Sequence, residues 1–187
     1  VNTLGYPTAL RGEAIYRMSY TFPHTASSVG FDFSASGLGA HIRDEAWGLD
    51  NVQVFVSDVP AQWSNGSRST TPNGRGFLGE FLNDTVSLTL TDLPPHTQAV
   101  VSCDLYLART WNGNSTDYGP DIWDFSVGGG STLVHSTFSN HPEDYYRQAY
   151  PGTYPGGDNL DRTGAHEIDT LGYGVGIQGD TVYRFTF

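Results

Sequence analysis

Lysine is absent from this chain of 187 residues: all nine basic residues are arginines, set against twenty acids, for a formal net charge of −11. Without lysine there is no P-loop, no Schiff-base amine and no lysine general base. The acidic balance argues against nucleic acid, whose phosphates need a basic face. It leaves divalent cations, or colloidal solubility alone, as its use. Cysteine occurs once, at Cys103, so an internal disulfide is excluded. In VVSCDLYL it shares an alternate face with Val101, Leu105 and Leu107, which reads as a small core side chain and not a reactive thiol. No run of 18 apolar residues occurs, so no membrane-spanning helix is expected. No secretory leader is recognisable and the chain starts at Val1, so it reads as a mature product or a fragment.

Catalytic signatures are missing too. There is no HExxH, GxSxG, Cys–His pair or Gly-rich phosphate loop. Asp44 and Glu45 are adjacent, and on a strand they would point to opposite sides, a poor arrangement for two-carboxylate chemistry. No enzymatic activity is expected. The six histidines show no paired metal spacing, and His24 (FPHT) and His96 (PPHT) sit in proline turns that read as structural.

Helical periodicity is nearly absent, while alternation of period two is common. It runs through Tyr16, Met18, Tyr20 and Phe22; Val29, Phe31, Phe33 and Ala35; Val52, Val54 and Val56; Val86, Leu88 and Leu90; Trp123, Phe125 and Val127; and Tyr183, Phe185 and Phe187. Aromatics make up 13% of the chain, and such side chains suit a half-buried pleated surface. Turn clusters (SNGS, TPNGRG, LPPH, WNGNS, GGGS) separate the segments. The expected fold is all-β: an antiparallel, jelly-roll-like β-sandwich of about nine or more strands with long loops. The stretch 139–167 lacks periodicity but carries Tyr145, Tyr146, Tyr150 and Tyr154, which points to an ordered, packed excursion.

The chain also repeats itself. Residues 2–20 (NTLGYPTALRGEAIYRMSY) align without a gap on residues 169–187 (DTLGYGVGIQGDTVYRFTF) at an offset of 167, with seven identities that include Leu4/Leu171, Tyr6/Tyr173, Tyr16/Tyr183 and Arg17/Arg184. One sandwich has one slot for a strand of given register and inward side chains, so two near-copies leave one to spare. Tandem repetition, strand exchange with a neighbour, or both copies at pseudo-equivalent edges of one sandwich would each account for this. Exchange has the physical advantage that a donated strand satisfies an open sheet edge and its apolar groove together. The contact is then head to tail and closes a ring or propagates a filament. On this reading residues 1–22 form a terminal arm and 23–187 the sandwich domain. The subunit-interface residues are Leu4, Tyr6, Ile15, Tyr16, Met18, Tyr20, Leu171, Tyr173, Val182, Tyr183, Phe185 and Phe187.

The segment DEAWGLDNVQV (Asp44 to Val54) resembles the acidic turn before the last strand of calcium-binding jelly-roll domains in secreted, mainly bacterial, surface proteins. Leu105 to Asn140 is similar to the middle of such a domain, and with Gly76 to Leu93 the resemblance covers most of 20–187. The order is permuted, as in strand-exchanged filament subunits. The resemblance implies an extracellular or cell-surface location and a Ca²⁺ site drawing on Glu45, Asp50, Asp117 and Asp121. Calcium takes six to eight hard oxygens, which acidic Gly-rich loops supply. Sequons at Asn65, Asn83 and Asn114 permit glycans.

Two functions follow as expectations. The first is a structural subunit of an extracellular filament or surface assembly, a head-to-tail homopolymer whose partner is itself. The alternative is a calcium-dependent carbohydrate-binding module with Trp47, Trp111 or the Tyr-rich loop as sugar platform.

Overall fold

The computed structural model describes residues 12–42, 44–54, 61–141, 145–173 and 181–184. Of the interface residues named above, Leu4, Tyr6, Phe185 and Phe187 lie outside these, as do the side chains of Ile15, Val182 and Tyr183. The chain is all-β and helix-free among the described residues. Its strands are β1 (Gly12–Pro23), β2 (Val29–Ser36), β3 (Glu45–Val54), β4 (Ala61–Trp63), β5 (Arg68–Thr70), β6 (Gly76–Phe81) and β7 (Thr85–Leu90). There follow β8 (Gln98–Arg109), β9 (Ile122–Val127), β10 (Thr132–Thr137), β11 (Arg147–Gln148), β12 (Asn159–Leu160), β13 (Glu167–Ile168) and β14 (Thr181–Arg184).

Two sheets face each other, one ordered β13-β14-β1-β8-β3-β6-β5 and the other β10-β9-β2-β7-β4, with β11 and β12 paired apart. Alternation makes the core between them. β2 buries Val29, Phe31, Phe33 and Ala35 on one face, and β7 buries Val86, Leu88 and Leu90. From the larger sheet come Tyr16, Met18, Trp47, Leu49, Val101, Cys103, Leu105 and Leu107. Cys103 is 1% exposed among the residues expected beside it, and burial pushes its thiol up to about 12, so it is inert.

The larger sheet carries a second apolar layer on its outer face: Ala46, Phe77, Tyr106, Ala108, Leu171 and Tyr173. This layer explains where alternation fails. β3 is buried at five consecutive residues from Glu45 to Leu49, and β8 from Cys103 to Arg109, because both faces are covered. The alternation of Val52, Val54 and Val56 in the sequence accordingly marks only the C-terminal part of β3. Gly48 is the residue that lets the layer close: a Cβ there would overlap the ring of Phe77 and stand 2.6 Å from the Leu78 carbonyl oxygen. Gly48→Ala is expected to destabilise the fold by about 3 kcal/mol, read as a lower denaturation midpoint with an unchanged slope.

Both copies of the repeated segment enter the larger sheet. β1 pairs antiparallel with β8 along its whole length, from Gly12↔Arg109 to Pro23↔Gln98. β14 lies on the other side of β1 and runs parallel to it, in the register Ala14↔Thr181, Ile15↔Val182, Tyr16↔Tyr183 and Arg17↔Arg184. These are the residues that the 167-residue offset equates, so each residue of one copy faces its own counterpart. Residues 12–22 of the expected arm are thus built into the sheet. The N-terminal copy holds the slot beside β8, and the C-terminal copy is stacked outside it.

Candidate functional site

Two features stand out: the doubled strand and an acidic cleft. The C-terminal copy is rooted in its own chain before it reaches β14. Leu171 and Tyr173 are 0% and 2% exposed in the outer layer. Tyr173 donates its hydroxyl to Glu80 Oε1 at 2.8 Å. Glu80 Oε2 pairs with Arg109 at 2.5 Å, and the Arg109 guanidinium lies 5.5 Å from the Tyr173 ring centroid. In the N-terminal copy, Tyr16 is fully buried, edge-on to Phe138 at 4.3 Å and to Tyr150 at 5.8 Å. Met18 is buried and Tyr20 half-buried against Phe125 at 5.2 Å. Tyr16, Met18, Leu171 and Tyr173 are thus all spent on their own chain.

The cleft, of about 510 Å³, is lined by Gly37, Gly39, Asp44, Glu45, Thr110, Asn112, Asp117, Tyr118 and Gly119. Asp44 is in the turn before β3, its N–H bonded to the His41 carbonyl at 2.8 Å, and Glu45 opens the strand. The two carboxyls therefore converge instead of pointing apart: a Cβ on Gly39 would lie 3.2 Å from Glu45 Oε2 and 3.5 Å from Asp44 Oδ2. Glu45 Oε2 accepts the Gly39 N–H. Behind the cleft, fully buried Asp121 accepts the Asn112 N–H at Oδ2, while its Oδ1 is buried with no hydrogen-bond partner among the described residues. Burial raises Glu45 to about 7, with the nearby Asp44 charge adding to it. Burial and the charge of Glu45 hold Asp121 well above the usual carboxylate range. Two buried acids close enough for one charge to act on the other would have both charges offset by a hard cation. Among the described residues no group of three or more His, Cys, Asp or Glu side chains is placed to hold a metal ion. Any calcium here would draw on Glu45 and Asp121, with water and neutral oxygens completing its shell.

Of the four carboxylates expected at a Ca²⁺ site, Glu45 and Asp117 line this cleft, Asp121 is buried behind it, and Asp50 lies elsewhere. Glu45 and Asp50 are five residues apart on β3, an odd spacing that sends them to opposite faces. Asp50 instead accepts from Tyr106 Oη at 3.0 Å and from the Asn51 N–H at 2.8 Å, beside Asp104. Trp47 and Trp111 are fully buried, donating to the carbonyls of Leu82 and Ala46, so neither serves as a sugar platform. Among the described residues the exposed tyrosine rings are Tyr118, 67% exposed at the cleft, and Tyr145, 69% exposed and edge-on to Tyr146 at 4.9 Å. No protein-family model matches the chain, and neither a curated protein nor a solved structure matches it.

The three sequons differ in what their amides do. Asn83 holds Leu38 from both ends, Nδ2 to the carbonyl and Oδ1 from the N–H, each at 3.1 Å. Asn114 Nδ2 donates to the Gly157 carbonyl at 3.0 Å and Oδ1 accepts from Thr137. Asn65, exposed in the turn between β4 and β5, uses only Oδ1, which accepts the Ser67 N–H at 3.0 Å. Its amide nitrogen is the one available for a glycan. One pairing had no signal in the sequence: His24 and His96, 72 residues apart, meet at 2.7 Å.

Proposed function

We propose that the chain is a structural subunit of an extracellular filament or surface assembly, polymerising head to tail by lending the end of its C-terminal copy to the next subunit. The observation that carries this reading is the parallel, in-register β1–β14 pairing of two copies beside a single slot. Among the described residues β14 pairs with β1 at four positions and with β13 at one, while β1 pairs with β8 at twelve. The slot beside β8 is already filled by β1, so on this reading the outer copy is the one lent. Because both chains carry the same β1, β14 of one subunit makes the same contacts with β1 of the next, and the exchange costs no pairing. Leu171 and Tyr173 keep the root of the donated segment fixed to its own body. Catalysis has no part in this proposal, and the partner is a second copy.

Light scattering and electron microscopy test it. Full-length chain should form concentration-dependent polymers, and a chain ending at Tyr173 should be monomeric at every concentration. Full-length chain that stays monomeric, or truncated chain that polymerises unchanged, would contradict the proposal.

A second reading is favoured by the exposed Tyr118 ring at the mouth of the acidic cleft: a calcium-dependent carbohydrate-binding module, with the ring stacking on a sugar above Glu45 and Asp121. It predicts a monomer retained on polysaccharide, released by a chelator and weakened by Tyr118→Ala.

A further inference from the structure

We propose that His24 and His96 form a two-imidazole site for a borderline transition-metal cation such as Zn²⁺, at the point where β1 leaves the sheet. β1 ends at Pro23, and the ladder gains one more bond when the His24 N–H reaches the Thr97 carbonyl at 3.2 Å. Across from it the chain passes from β7 to β8 through Pro94 and Pro95, held by the Leu93 N–H on the Ser27 carbonyl at 3.0 Å. Two turns are thereby clamped face to face, and each presents one imidazole to the other.

The hydrogen bonds fix which nitrogens face each other as lone pair and proton. His96 Nδ1 lies 2.6 Å from the Pro94 carbonyl oxygen, which only accepts, so His96 carries its proton on Nδ1. His96 Nε2 is then a lone pair, and His24 Nδ1, 2.7 Å away, donates to it. The rings are 18° apart in plane with centroids 5.0 Å apart, so they meet nearly edge to edge. The Phe22 ring sits edge-on to His24 at 6.0 Å and steadies it. A backbone carbonyl on the far nitrogen is the partner that metal-ligating histidines use to fix their tautomer and raise their basicity.

Binding needs one proton to move. His24 passes from its Nδ1–H to its Nε2–H tautomer, through solvent and with no net proton release, and both facing nitrogens then offer lone pairs. At metal–nitrogen distances of about 2.0–2.1 Å, a tetrahedral ion sets its two nitrogens about 3.3 Å apart, so the rings must part by roughly 0.6 Å and turn until both lone pairs point at the ion. Both histidines are half-buried residues of turns, where such a movement is local. Water fills the remaining positions. Nitrogen ligands select a borderline ion and reject Ca²⁺, which separates this site from the acidic cleft. The bound ion ties the exit of β1 to the turn that leads into β8, the strand β1 pairs with.

The test is a Zn²⁺ titration of full-length chain, followed by long-range ¹H–¹⁵N spectra of the imidazoles. The first equivalent should shift both His24 Nδ1 and His96 Nε2, and Ca²⁺ should shift neither. His24→Ala and His96→Ala should each weaken Zn²⁺ binding at that site by at least about tenfold, and Glu45→Gln should leave it unchanged. Ring nitrogens of both histidines that stay unshifted at saturating Zn²⁺, or His24→Ala chain that binds as tightly as the parent, would overturn the proposal. The spectra of the parent chain decide the matter even if a variant fails to fold.

Discussion

Replacing Glu45 by Gln is expected to stabilise the chain at pH 8 by about 3 kcal/mol and to change little at pH 4. In the folded chain Glu45 titrates at about 7 instead of 4.5, chiefly because burial penalises its ionised form. Between those values the native state keeps a proton that the unfolded state has released. Native stability therefore falls as pH rises through this window, and above about pH 7 the full cost is present. Asp121 moves in the same direction for the same reason, with the charge of Glu45 added. Gln keeps the oxygen that accepts the Gly39 N–H and removes the charge that faces Asp121. Denaturant unfolding of both forms across pH 4–8 checks this. A parent chain whose stability climbs from pH 5 to 8, or a Gln variant less stable at pH 8, would show the assignment to be wrong. On the second, calcium-dependent reading, millimolar Ca²⁺ restores the parent at pH 8 and does little for the variant.

Tyr16→Ala is expected to cost about 3–5 kcal/mol, whereas the same change at Tyr183, its counterpart in the C-terminal copy, should cost the monomer far less and act on assembly instead. Tyr16 is fully buried, with Phe138 and Tyr150 against its ring, so truncation opens a large cavity where the sheets meet. Tyr183 belongs to the outer strand, which the proposed function assigns to the neighbouring subunit. Thermal unfolding of the two variants, beside light scattering of each, measures the difference. Equal destabilisation by both would mean that the two copies are equally integral to one fold.

The sandwich was legible because most strands have one face in the core and one toward water: β2, β7 and β9 read correctly from alternation alone. The first half of β3 and the second half of β8 were not, since the outer layer built from Phe77, Tyr106, Leu171 and Tyr173 buries their other side. Period two vanishes wherever both faces are dry. The repeat was legible as a sequence identity, but its consequence was not: a parallel strand laid on its own copy belongs to neither an ordinary hairpin nor a separate arm. Glu45 and Asp121 could be named as acids, yet their confrontation depends on β3 and the start of β9 meeting at one end of the sandwich. The His24–His96 contact left no trace in the sequence because neither residue's local spacing refers to the other.

The central claim, that the β1–β14 pairing forms between chains, is tested most directly by cross-linking a chain carrying Ile15→Cys and Val182→Cys, positions that are Cα partners across the two copies. Cys103 is buried and its thiol held up near 12, so it does not compete for the reagent. At high concentration, a short thiol cross-linker followed by denaturing electrophoresis should give a ladder of covalent multimers that disappears when either cysteine is left out. Cross-linked material that runs entirely as monomer at every concentration would contradict the account.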